Sequence, residues 1–128
     1  MPELLDFFYA RQPQMIALLR RLAEFESPSH SPEHLNRLGD TVQDIAAGLA
    51  ASVEAIALAN GAAARLARWN ASAPGAPILL LMHMDTVWPV GTLATMPLRE
   101  DGGLLFGPGV ADMKGGIAAS MLTYINAV

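Results

Sequence analysis

The chain has 128 residues, enough for one compact domain with its own core, and its hydrophobic share of 52% excludes a disordered tail. A net charge of −4 with no basic stripe excludes nucleic acid as an expected partner. The absence of cysteine excludes disulfides, thiolate metal sites and cysteine nucleophiles, so any metal must be held by His, Asp or Glu.

The opening stretch "MPELLDFFYARQPQMIALLRRLAEF" lacks the basic start, apolar centre and cleavage site of a leader. No run approaches the ~18 apolar residues of a membrane span, so a cytoplasmic chain without membrane contact is expected. Residues 3–25 follow a helical period, with Leu4, Phe8, Ile16, Leu19, Leu22 and Phe25 on one face. Pro13 is expected to interrupt this helix. After the Ser- and Pro-rich break "ESPSHSPEH", Ser31 and Pro32 read as N-cap and first position of a second helix. It should run to about Ala50, with Leu35, Leu38, Val42, Ile45 and Leu49 inward.

Strands are expected near residues 52–58 and 63–69, turning at Asn60-Gly61. The apolar run Ile78 to Met82 predicts a strand covered on both faces. "PLREDGGLLFG" predicts a hairpin turning at Asp101-Gly102-Gly103, and "GPGVADMKGG" a loop. From Gly116 onward Ile117, Met121, Leu122 and Ile125 are spaced as a helix. It reaches "YINAV" without a stop signal, so the chain reads as cut short. This order of elements predicts an α/β layer fold.

His83 follows the 78–82 run, where ligands bind in open α/β sheets. A neutral imidazole is a good zinc ligand, and it binds better when its other nitrogen donates to a carboxylate such as Asp85. Alone, the pair reads first as a histidine satisfied by the backbone and an aspartate that starts a turn. Asp112 lies in a glycine-dense loop before a helix. Its two acceptor oxygens can bridge two cations, although alone it reads as a helix-start carboxylate stabilised by the dipole. His30 and His34 read as a surface helix start, since Pro32 lies between them and the H-E-x-x-H order is missing. Lys114 is expected to be solvated or paired with an acid. Trp69 and Trp88 read as packing residues, and Met82, Met84 and Met113 as core filler.

Taken together, "HMDTVWPVG" and, some twenty residues on, "LLFGPGVADMKGG" resemble the dizinc metallopeptidase family. That family includes glutamate carboxypeptidases, acetylornithine deacetylases, succinyl-diaminopimelate desuccinylases and aminoacylases. The wording looks closest to the glutamate carboxypeptidase branch. Matched positions include His83, Asp85, Thr86, Val87, Gly107, Gly109, Asp112, Lys114 and Gly115.

The resemblance implies an α/β fold in which residues 1–128 form the N-terminal portion of the catalytic domain, a mixed sheet flanked by helices and incomplete. It implies that His83 ligates one zinc, Asp85 holds that imidazole, and Asp112 bridges both zincs, with a cis peptide at Asp112–Met113. The same donors accept Co or Mn. The implied reaction is metal-assisted hydrolysis of an amide beside a free carboxylate, in a small peptide or N-acyl amino acid. A homodimer is the implied full-length assembly. The family's Glu-Glu pair, its later acidic and His ligands and its lid domain have no counterpart in this sequence. The chain alone is therefore expected to be inactive, and a structural or partner-binding role is the alternative.

Overall fold

The computed structural model of the chain describes residues 2–124, with side chains from 5 to 123; Leu4's side chain, Ile125 and the end at Val128 lie outside that range. Helix α1 spans Pro2–Ala23 and α2 spans Pro32–Gly48. The hairpin β1 (Ser52–Ala57) and β2 (Ala63–Arg68) follows. A single turn α3 (Thr92–Thr95), the hairpin β3 (Arg99–Asp101) and β4 (Leu104–Phe106), and helix α4 (Gly115–Tyr124) complete the order.

The helical layer forms because three apolar stripes meet. Leu22 of α1, Leu38, Val42 and Ala46 of α2, and Ile117, Ala118 and Met121 of α4 make one buried cluster. Leu22 and Leu38 are fully buried, whereas Ile16, expected on the same face, is exposed. Pro13 does not break α1. A proline inside a helix removes one backbone bond. Pro13 and Tyr9, whose carbonyl would have accepted that bond, both lie on an exposed face where water can take its place. Ser31 stands at the N-cap of α2, but its hydroxyl makes no capping bond and lies 2.7 Å from His34 Nδ1. Pro32 and the Leu35 N–H donating to the Ser31 carbonyl begin that helix instead.

Strands β1 and β2 pair antiparallel from Ser52↔Arg68 to Ala57↔Ala63. The loop between them is longer than a two-residue turn. Leu58 N–H closes it on the Ala62 carbonyl, and Asn60 Oδ1 accepts from Ala62 N–H at 3.0 Å. Asn36 of α2 then clamps the hairpin, donating to the Gly61 carbonyl and accepting from Ala63 N–H. Trp69 packs against the core, as expected, with its indole N–H donating to the Leu49 carbonyl at 2.9 Å. Between β3 and β4, Gly102 and Gly103 both take positive φ (56° and 78°), the conformation a tight two-residue hairpin turn requires.

The expected strand at 78–82 is not found among the described residues. Two separate antiparallel hairpins are present, and residues 78–82 pair with neither. Ile78 and Leu81 are 85% and 88% exposed. An apolar run becomes a buried strand only where neighbours supply a ladder and a cover, and no described segment does so here. The α/β class holds, carried by helices and small antiparallel sheets.

Glu26, just past α1, pins the α3 turn. Its two carboxylate oxygens accept from Gly91 N–H and Leu93 N–H, each at 2.8 Å. These backbone bonds, Gly91's first, hold its carboxyl below the ordinary value of 4.5. A depressed carboxylate contributes stability that is present above the unfolded pKa and lost as pH falls through the folded one. Protection factors of the Gly91 and Leu93 amides, exchange rates corrected for their intrinsic pH dependence, should therefore fall on acidification below about pH 4.5, and Glu26→Ala should abolish that fall. Leu38→Ala should lower unfolding free energy by about 2–5 kcal/mol in urea titration, the usual loss for a large core side chain.

Candidate metal centre

Three segments meet at the site: the break after α1, the 82–87 segment, and the glycine loop before α4. The first two are laced through one parallel bridge, Pro28↔Thr86. Thr86 N–H donates to the Ser27 carbonyl at 2.7 Å, and Ser29 N–H donates to the Thr86 carbonyl at 3.0 Å. The buried Ser27 hydroxyl adds a bond to the Met84 carbonyl at 2.8 Å. Met82 and Met84 alternate toward the helical core, as filler residues should, which leaves His83 and Asp85 facing the other way.

The third segment is an irregular turn, Val110–Lys114, in which Asp112 and Met113 have non-helical dihedrals. The Asp112–Met113 peptide bond is cis, as the resemblance implies. Gly109 adopts φ +72°, and a Cβ there would lie 2.7 Å from Thr86 Cγ2 and 3.3 Å from Lys114 Cδ. Glycine is thus required both for its backbone and for the close approach of two segments.

Lys114 corrects the expectation of a solvated side chain. It is 1% exposed, and its ammonium donates to the Phe25 carbonyl at 2.6 Å. Burial pushes its pKa down to about 8, with Glu26 opposing that shift. The lysine ties the glycine loop to the end of α1. Its position before two glycines gave no sequence signal of burial, because Lys is almost never fully buried unless paired.

The predicted site residues are brought together. His83, Asp85 and Asp112 line one pocket of about 300 Å³, with Ser29 and Thr86 beside them. His83 Nδ1 lies 3.1 Å from the Asp85 carbonyl and 3.2 Å from Asp85 Oδ1. Both neighbours are acceptors, a setting that suits a proton on Nδ1. His83 Nε2 lies 2.9 Å from Asp112 Oδ1. The sequence missed Trp88, which is 42% exposed and lines the pocket instead of packing. It also missed Ser29, whose hydroxyl donates to Asp85 Oδ2 at 2.5 Å.

That arrangement has an electrostatic consequence. In the tautomer with the proton on Nδ1, Nε2 presents a lone pair to a carboxylate oxygen. Two acceptors at 2.9 Å need a cation between them, a proton or a metal. In the protonated form the bond to Asp112 raises the His83 pKa above its ordinary value of 6.5, aided by the Asp85 carbonyl and both negative charges and opposed by burial. The hydrogen bond from Ser29 lowers that of Asp85, which keeps it an anion.

The donor set is one imidazole nitrogen and one carboxylate, a chemistry that suits zinc. It fits as part of a centre. Among the described residues no group of three His, Cys, Asp or Glu side chains is arranged to hold one metal ion. His30 and His34 take no part in the pocket.

Residues 79–127 match the family model of peptidase family M20/M25/M40. That segment contains every residue of the pocket named above except Ser29. Carboxypeptidase G2 of Pseudomonas sp. (strain RS-16) is 49% identical over 49 residues, covering 38% of this chain and 12% of that protein. Succinyl-diaminopimelate desuccinylase of Corynebacterium glutamicum is 32% identical over 110 residues, 85% of this chain and 27% of that protein. The chain thus spans about a quarter or less of the length of these relatives.

Gly109→Ala should cost at least about 1–3 kcal/mol for the positive-φ backbone alone, with more from the clash at Thr86. Thermal unfolding would read the loss, and Gly48→Ala, whose Cβ would meet nothing within 4 Å, should leave the melt near that of the parent.

Proposed function

We propose that this chain is the N-terminal part of a zinc-dependent amidohydrolase or exopeptidase that cleaves an amide beside a free carboxylate. The observation that carries the reading is the close approach of His83 Nε2 and Asp112 Oδ1, 2.9 Å apart, in one pocket. The two relatives, a carboxypeptidase and a desuccinylase, favour a small peptide or N-acyl amino acid as substrate.

His83 and Asp112 would hold the metal, with Co or Mn as substitutes for the same donors. When bound, zinc supplies Lewis acidity and a nucleophilic oxygen at neutral pH. The chain's own residues set the conditions for that chemistry. Asp85 keeps the proton on Nδ1, so Nε2 stays a donor and the imidazole becomes more basic. Asp112 brings negative charge and a second oxygen for another cation. Val87 and Trp88 form an exposed apolar rim beside the pocket, suited to the body of a substrate.

No glutamate lines the pocket. A general base and further metal ligands would come from outside the described residues, so the chain by itself is inactive in this reading. The second reading, a catalytically incomplete piece with a structural or partner-binding role, is favoured by the exposed run Ile78–Leu81. A cytoplasmic location and a full-length homodimer belong to the first reading as proposals.

Zinc titration of the chain by calorimetry separates the two readings. Binding in one weak step, as a two-ligand site allows, and weakened further by about 10-fold or more in His83→Ala and in Asp112→Asn, supports the metal centre. Such losses match what one removed partner costs a metal site. Equal zinc uptake by parent and both variants would sink it.

A further inference from the structure

The sequence between α1 and α2 contributes a residue to the site that the motifs do not contain. Ser29 stands 56 positions before Asp85, and its hydroxyl donates to Asp85 Oδ2 at 2.5 Å. The other oxygen of the same carboxylate, Oδ1, lies 3.2 Å from His83 Nδ1. Each carboxylate oxygen therefore has its own partner, and rotation of the carboxylate would break both contacts. Ser29 is itself fixed. Its N–H donates to the Thr86 carbonyl at 3.0 Å, and its Oγ lies 3.2 Å from that same carbonyl oxygen.

We propose that Ser29 is a positioning residue, whose hydroxyl orients the Asp85 carboxylate so that Asp85 retains the His83 Nδ1 proton and leaves Nε2 free to bind metal. The inference rests on the metal-centre reading for its purpose, but its geometry concerns only Ser29, Asp85 and His83. A carboxylate held by a short hydrogen bond at Oδ2 and by the imidazole 3.2 Å from Oδ1 is restricted to one orientation. Without the hydroxyl, Asp85 is free to turn away, and the Nδ1 proton keeps only the backbone carbonyl as acceptor. The Nε2–H tautomer then gains population, because Asp112 stands ready to accept that proton at 2.9 Å. Such a tautomer cannot ligate through Nε2 until it loses the proton.

Ser27 offers an internal comparison. Its hydroxyl is buried and bonded to the Met84 carbonyl, so it supports the same segment without touching Asp85. The test uses the ¹⁵N-labelled 128-residue chain, metal-free and at a pH where imidazole is neutral. Long-range ¹⁵N–¹H correlation reads the two ring nitrogens of His83, assigned with His83→Gln. In the parent the proton resides on Nδ1. Ser29→Ala should shift the signature toward Nε2–H, and Ser29→Thr, which keeps a hydroxyl, should restore it. Ser27→Ala should lower the melting temperature and leave the signature in place.

The idea is overturned if Ser29→Ala retains the parent's signature, or if Ser27→Ala moves it as far, since loosening alone would then explain the effect. Calorimetric zinc titration supplies the second arm. Ser29→Ala should weaken zinc about 10-fold, the low end of what outer partners contribute, with recovery in Ser29→Thr. A parent that takes up no zinc would overturn the metal-centre reading, while the tautomer measurement would still decide the role of Ser29.

Discussion

The site depends on a short parallel bridge between the break after α1 and the segment that carries His83. Thr86 N–H and carbonyl are both taken, by the Ser27 carbonyl and the Ser29 N–H. This fixes the phase of residues 82–86. In an extended segment side chains alternate, so one bridge decides which face each side chain takes. Met82 and Met84 go to the helical core, and His83 and Asp85 go to the pocket. A slip by one residue would exchange them, which would bury an acid and a base and expose two methionines. The bridge therefore does for residues 82–86 what a sheet ladder does elsewhere.

The glycine loop approaches because a buried lysine draws it in. The Lys114 side chain crosses to the Phe25 carbonyl, at the foot of the same break. Burying an ammonium is costly unless it is hydrogen-bonded, and its pKa, pushed down to about 8, records the desolvation. The gain is positional. With Lys114 seated and Gly109 against Thr86, the turn at Val110–Lys114 holds Asp112 within hydrogen-bond distance of His83. Two acidic groups then flank one imidazole, one at each nitrogen. They differ in surroundings: Asp85 is bonded and partly covered, while the Asp112 side chain is 87% exposed. The covered acid orients, and the open one faces whatever enters the pocket.

Much of this was legible in the sequence where local rules decide. Both long helices, the two hairpins and the turn glycines follow from periodicity and turn chemistry. His83, Asp85 and Asp112 stood out through the resemblance that their two stretches carry together, since each alone reads as ordinary structure. What was not legible depends on contacts between distant segments. Pro13 reads as a breaker by its ring, yet an exposed helix face tolerates it. The run Ile78–Met82 reads as a covered strand by composition, yet a strand is made by its neighbours, and no described residues pair with it. Trp88 reads as packing by size and is instead part of the pocket rim. Lys114 reads as solvated by charge, and only the carbonyl of Phe25, far away in the chain, makes its burial tolerable.

The same distinction separates the family match from the physical site. The match covers residues 79–127, which contain His83, Asp85 and Asp112. The groups that hold these residues in place lie upstream: the Phe25 carbonyl for Lys114, the Ser27 carbonyl for Thr86, and the Ser29 hydroxyl for Asp85. Backbone carbonyls leave no mark in a motif, because any residue supplies one. A serine hydroxyl does leave a mark, but a serine in a Ser- and Pro-rich break is indistinguishable from its neighbours until the bridge aligns it. Ser27 and Ser29 serve different partners, one the Met84 backbone and the other the Asp85 carboxylate. The motif thus names the atoms that would meet a metal, and the break after α1 supplies the bonds that aim them.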